Sequence, residues 1–177
     1  MKSSAEELAA QVEAVVFDVD GVLTAGDIVY GPGGEWKAFH VQDGQGFDLA
    51  RNAGLPTALL SARRSEALRR RAADLHVAAL RDGLRGKADG LQELLAEIGL
   101  TPAQACYVGD DLVDLPPMRL AGFPVAVANA AEEVKRAAAW TTSRPGGRGA
   151  AREVIEFILK AKGLWEKAME PYGGSSI

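Results

Sequence analysis

Short apolar runs alternate with amphipathic stretches along most of the chain. Ala14-Val15-Val16-Phe17 is continuously apolar and is followed at once by a polar cluster, so it reads as a buried strand. Runs over residues 55–60, 77–80, 105–108 and 123–127 read the same way. Helical patterns lie between them. Residues 46–53 end at Gly54, which suits the left-handed position after a helix. Residues 65–75 are rich in Ala, Leu and Arg, and residues 87–98 repeat apolar positions at 91, 94, 95 and 98 before Gly99. Thr101-Pro102-Ala103-Gln104 has the form of a capping box that opens a very short helix. Two further helices are expected over 132–138 and 149–162. Repeated strand–helix units predict an α/β fold: a three-layer, Rossmann-like parallel sheet with right-handed crossovers and helices on both faces.

One segment breaks the alternation. Ile28-Val29-Tyr30, Gly31-Pro32-Gly33-Gly34 and Glu35-Trp36-Lys37-Ala38-Phe39 predict a β-hairpin over about 27–40. It is too short to be a domain, and it carries Tyr30, Trp36 and Phe39 on a protrusion. Exposed aromatics there predict a subunit contact; the alternative is a hairpin folded down on its own sheet. Neither a repeat nor a linker divides residues 1–177, so a single domain is expected. The Gly/Ser-rich end predicts a mobile tail over about 166–177.

Composition narrows the class. Hydrophobic residues are 47% and charged residues 25%, which excludes pervasive disorder, collagen and a disulfide scaffold. A net charge of −4 and a pI near 5.3 give no general nucleic-acid affinity. The one cysteine, Cys106, forbids an intramolecular disulfide and fits a reducing compartment. The opening residues turn acidic at Glu6-Glu7 without a signal-peptide core, and no run approaches the ~20 apolar residues of a membrane span. A cytoplasmic protein, off the membrane, is expected.

Chemistry gathers where strands end. Asp18-Val19-Asp20-Gly21 follows the first strand, and Gly109-Asp110-Asp111-Leu112-Val113-Asp114 follows the strand that ends at Val108. In a parallel α/β sheet, ligands bind at the carboxyl ends of strands. Like charges brought together there are costly unless a cation lies between them, and oxygen ligands of this kind suit Mg²⁺. Each motif alone is also compatible with a turn or a helix cap. Two such motifs, both in strand context, favour one shared metal.

These residues resemble the motifs of the haloacid dehalogenase superfamily of phosphotransferases. Asp18-Val19-Asp20-Gly21-Val22 matches the first motif, Ser61 at a strand end the second, Lys87 at a helix start the third, and Gly109-Asp110-Asp111 the fourth. The resemblance implies Asp18 as nucleophile and Asp20 as acid and base. It implies Mg²⁺ on Asp18, the Asp20 carbonyl and Asp110, with Ser61 and Lys87 on the phosphoryl oxygens. Asp111 would orient the site and Asp114 would be structural. Only about 40 residues separate Asp20 from Ser61, and the hairpin uses part of them, so no inserted cap domain is expected. The hairpin, Lys37-Ala38-Phe39, Asp43-Gly44-x-Gly46, Ser61-x-Arg63 and Arg144-Pro145-Gly146-Gly147-Arg148-Gly149 further resemble the capless 3-deoxy-D-manno-octulosonate 8-phosphate phosphatase family. That resemblance spans about 14–165. It implies a homotetramer, a small phosphorylated sugar-acid substrate of lipopolysaccharide biosynthesis, and substrate contacts from Asp20, His40, Val41, Gln42, Asp43, Gly44, Arg63, Arg71 and Lys87.

The chain departs from the family at His40-Val41-Gln42-Asp43-Gly44, where Asn-Val-Arg-Asp-Gly is usual, and at Asp48, where a basic residue is common. A 2-keto-3-deoxy-nononate 9-phosphate phosphatase therefore stands as an alternative, and a non-catalytic regulatory domain of sugar-acid metabolism as another. Gly83-Leu84-Arg85-Gly86-Lys87-Ala88 lacks the spacing of a nucleotide phosphate loop, and Gly44-x-Gly46 lacks the third glycine of a dinucleotide fingerprint. Cys106 and His76 read as structural. Gly146-Gly147-Arg148-Gly149 reads as a loop that borders the site.

Overall fold

The apolar runs do form strands. A computed structural model describes residues 4–173 and places β1 (Ala14–Asp18), β4 (Thr57–Leu60), β5 (Ala79–Arg81), β6 (Ala105–Gly109) and β7 (Phe123–Ala126) in one sheet. A two-residue edge strand, β8 (Trp140–Thr141), completes the six-stranded order β5-β4-β1-β6-β7-β8, parallel throughout. Every residue of β1 and β6 is buried, the signature of a strand covered on both faces. The chain runs from β1 outward to β4 and β5, then returns to place β6 on the other side of β1. The order therefore reverses beside β1, and the crevice at the carboxyl ends of β1 and β6 is where such sheets bind ligands.

The helices are α1 (Ser4–Ala10), α2 (Val41–Ala53), α3 (Glu66–Asp74), α4 (Lys87–Glu97), α5 (Leu115–Leu120), α6 (Glu132–Ala137), α7 (Ala150–Ala161) and α8 (Trp165–Met169). Helix α7 buries Ala150, Ala151, Val154, Ile155, Ile158 and Leu159, an i, i+4 stripe packed against α2 and α1. Helix α4 buries Leu91, Leu94 and Leu95 and packs against α5 and β5. The capping box at Thr101 and Gln104 is formed and closes a 3₁₀ turn over Pro102–Gln104.

Three expectations are corrected. Helix α2 starts at Val41, five residues before the predicted start. Its two glycines hide it in the sequence but serve its packing: a Cβ on Gly46 would lie 2.8 Å from Arg152 Cα of α7, and one on Gly44 2.7 Å from Arg71 Nη2. The stretch read as a loose tail begins with α8, whose Ala168 is buried; Asn52 Nδ2 donates to its carbonyl at 3.2 Å. A 3₁₀ turn follows over Glu170–Tyr172, and residues 174–177 of the expected tail lie outside the described residues. The hairpin is shorter than expected: β2 (Val29–Gly31) pairs with β3 (Gly34–Trp36) as a separate two-stranded sheet. Tyr30 is 79% exposed and Trp36 56%. Among the described residues, no helix is long and apolar enough to cross a membrane.

Candidate active site

Strand ends deliver the chemistry. Asp18 ends β1 opposite Leu60 of β4, and Phe17 pairs with Val108 of β6. Ser61 and Asp110 thus follow the two strands that flank β1. Asp18, Asp20, Ser61, Arg63, Lys87 and Asp110 line one open cleft of about 260 Å³. Gly21 makes the convergence possible. It takes φ +92°, and a Cβ on it would lie 1.9 Å from Asp110 Oδ2. The loop read as bordering the site supports it from outside the cleft. Gly147 N donates to the Val22 carbonyl at 2.8 Å, and a Cβ on Gly146 would lie 1.6 Å from the Gly21 carbonyl oxygen.

Lys87, at the start of α4, lies with Nζ 2.7 Å from both Asp18 Oδ1 and Asp114 Oδ1. Asp114 is fully buried and fully used. Its Oδ1 also accepts from Tyr107 OH at 2.7 Å, and its Oδ2 accepts from the Asp110 and Asp111 amides at 2.9 and 3.2 Å. Asp114 is thus a brace that aims Lys87 and folds the β6 loop, in line with its structural reading. Asp111 caps the turn that follows, accepting from Leu112 N at 2.7 Å. Ser61 Oγ exchanges bonds with the Arg63 backbone, at 3.1 and 3.2 Å.

Carboxylate oxygens of Asp18, Asp110 and Asp114 lie within 4.8 Å of one another. Burial, then Asp114, pushes Asp18 well above the usual carboxylate range, against Lys87. The same two causes push Asp110 up to about 7. Burial opposes the charge on Lys87, yet Asp18 and Asp114 hold it above the ordinary lysine value. Three ionised carboxylates against one ammonium leave two negative charges, which one divalent cation would balance. With Asp114 saturated, the free oxygen ligands are those of Asp18 and Asp110, a donor set that fits Mg²⁺.

The hairpin reaches the same cleft, which the sequence did not reveal. Lys37 Nζ donates to Asp20 Oδ1 and lies 2.9 Å from Glu35 Oε1, while Arg63 Nη2 donates to Glu35 Oε2. Other expected substrate contacts lie elsewhere in the chain. Asp43 is buried and accepts from Gly149 N at 3.2 Å and Arg152 N at 3.0 Å, so it caps α7 instead of facing the cleft. Arg71 lies 5.4 Å over the Phe39 ring and against Gly44 of α2. Val41 is 84% exposed, and Gln42 accepts from Arg144 Nη1 at 3.3 Å. His40 lines a separate hollow of about 170 Å³ under the hairpin, with Trp36 and Arg148. None of His40, Val41, Gln42, Asp43, Gly44 or Arg71 lines the carboxylate cleft within a single chain.

Comparison with known proteins agrees with this geometry. The profile of the haloacid dehalogenase-like hydrolases matches residues 85–153. The 3-deoxy-D-manno-octulosonate 8-phosphate phosphatase of Haemophilus influenzae is 42% identical over 153 residues, 86% of this chain and 85% of that protein. The Escherichia coli enzyme of the same name is 37% identical over 161 residues, 90% of this chain and 86% of its own. The crystal structure of the Moraxella catarrhalis phosphatase of that name, with a magnesium ion, phosphate and KDO, superposes with a TM-score of 0.91 at 34% identity, covering 97% of this chain and 99% of that one. A cobalt-bound form of the Haemophilus influenzae enzyme gives 0.86 at 41% identity, over 90% and 94% of the two chains. Motif order, capless sheet and kinship together place this chain in the 3-deoxy-D-manno-octulosonate 8-phosphate phosphatase family of the haloacid dehalogenase-like hydrolases.

Proposed function

We propose that this chain is a cytoplasmic, Mg²⁺-dependent phosphomonoester hydrolase that removes phosphate from 3-deoxy-D-manno-octulosonate 8-phosphate, a step of lipopolysaccharide biosynthesis. One observation carries the reading: at the end of the central strand Asp18 meets Lys87 Nζ at 2.7 Å, with Asp20, Ser61 and Asp110 around the same cleft. An Asp18 carboxylate oxygen forms a bond to phosphorus as the bond to the sugar oxygen breaks. Asp20, protonated, gives its proton to that sugar oxygen. It then takes a proton from water as the water oxygen attacks phosphorus. The bond from Asp18 to phosphorus breaks, and inorganic phosphate leaves. Ser61 and Lys87 hold the phosphoryl oxygens, and Arg63 at the cleft offers a guanidinium to the sugar acid. Asp18, Asp110 and the Asp20 carbonyl would hold Mg²⁺, which would supply positive charge to offset the negative charge of the phosphoryl group. The relative bound to magnesium, phosphate and KDO supports both cofactor and substrate. The buried free Cys106 fits a reducing compartment. The exposed aromatic hairpin supports a homotetramer.

Phosphate release from octulosonate 8-phosphate and nononate 9-phosphate, with and without EDTA, tests the reading. The octulosonate ester is expected to turn over faster, EDTA to stop it, and Asp18→Asn to abolish it without unfolding the chain. Faster release from the nononate ester would replace the substrate. No release from either would favour a non-catalytic regulatory domain.

A further inference from the structure

Lys37 directly follows the second strand of the hairpin. Its neighbours Tyr30 and Trp36 face solvent, yet its own side chain is 2% exposed. A buried ammonium is retained only with partners that repay its lost hydration. Lys37 has two, Asp20 Oδ1 and Glu35 Oε1, and Glu35 passes the contact on to Arg63. Charges thus alternate along Asp20, Lys37, Glu35 and Arg63, and both ends of this row line the carboxylate cleft. Backbone bonds fix the loop that carries Asp20: Leu23 N and Thr24 N both donate to the Val19 carbonyl, at 2.9 and 3.1 Å. The loop does not fix the side chain, which is 25% exposed at the cleft.

We propose that Lys37 is the positioning residue for Asp20, holding Oδ1 so that Oδ2 faces the leaving oxygen and, later, the attacking water. This rests on the reading of Asp20 as acid and base. It makes the hairpin part of the proton-transfer apparatus as well as a surface for subunits. Displacing a reacting group by about 1 Å costs roughly 10²-fold in rate, and a positioned proton donor contributes about 10²–10⁴-fold.

The test uses two leaving groups. A sugar alkoxide needs a proton as it departs; p-nitrophenolate leaves without one. For Lys37→Gln, kcat on the sugar phosphate is expected to fall at least about tenfold, with KM moved less than about threefold. With p-nitrophenyl phosphate, a burst of about one p-nitrophenol per active site should appear, followed by slow turnover, because only the later water attack still needs Asp20. The double variant with Asp20→Asn should lose no more than Asp20→Asn alone. Equal losses on both esters without a burst, or losses that multiply in the double variant, would overturn the proposal, as would a Lys37→Gln enzyme with unchanged kcat. If Lys37→Gln fails to fold by circular dichroism, Glu35→Gln takes its place, with the same leaving-group contrast expected at smaller size. The Asp18→Asn control separates the two readings. Full activity there would sink the assignment of the site, whereas an inactive Asp18→Asn beside an unimpaired Lys37→Gln would sink only the role of Lys37.

Discussion

At the scale of single residues, the site concentrates charge where burial weakens screening by water. Asp18 and the half-buried Asp110 lie close to the buried Asp114, and among the described residues Lys87 is the cation paired with Asp18 and Asp114. Without a metal, burial and Asp114 keep Asp110 protonated up to about pH 7 and push Asp18 the same way. A metal must therefore displace protons to bind. Raised values mean that the acid forms persist toward neutrality, so Mg²⁺ affinity should rise as pH rises through about 7. For a single competing proton at Asp110 the dissociation constant should be about tenfold weaker at pH 6 than at pH 8. Calorimetric titration of Mg²⁺ at the two pH values checks this; equal constants would mean that Asp110 is not a ligand. Asp18 and Asp110, the proposed nucleophile and metal ligands, could be picked out in the sequence because each stands at the end of a recognisable strand. Lys37 was not, because its meeting with Asp20 depends on how the hairpin lies over the sheet, and no local pattern encodes that.

At the scale of elements, the four inner strands announce themselves as apolar runs because a parallel sheet buries both of their faces, and the edge strand β5 does so although it is only half-buried. The shortest edge and capping elements, β8 and α5, do not. Strand β8 has two residues and relies on Trp140 stacking against Phe157, with centroids 4.3 Å apart. Helix α5 is masked by Pro116 and Pro117 in its first turn. The start of α2 carries the largest lesson. Residues 40–44 look like a substrate loop, but the first turn of α2 directs Asp43 inward onto the amino terminus of α7. Asp43 then acts as a cap contributed from another helix. Asp43→Ala should cost about 1–2 kcal/mol of stability and lower the melting temperature by a few degrees, while KM for the sugar phosphate stays near the parent value. Thermal denaturation beside steady-state kinetics decides the matter: an unchanged melting temperature with a raised KM would return Asp43 to the substrate.

At the scale of the whole molecule, a capless sheet leaves its cleft open, and the hairpin beside it carries exposed apolar side chains. Ile28, Val29, Tyr30 and Trp36 are all exposed on this one protrusion, with Val41 exposed at the start of α2. Exposed apolar side chains gathered on one protrusion would suit a protein contact. His40 and Arg148 line the hollow beneath the hairpin, so residues that do not line the carboxylate cleft within one chain would border a contact with a second. If the hairpin is the subunit contact, Tyr30→Asp with Trp36→Asp should convert a tetramer to a chain sedimenting near 18.7 kDa. The folded subunit itself should survive, because neither side chain belongs to its core. Assembly also stabilises a folded chain by mass action, so the parent melting temperature should climb with protein concentration while that of the variant should not. Sedimentation velocity and concentration-dependent melting read the two effects separately. A variant that stays tetrameric would move the contact to another face and leave the exposed aromatics of the hairpin without a role in assembly.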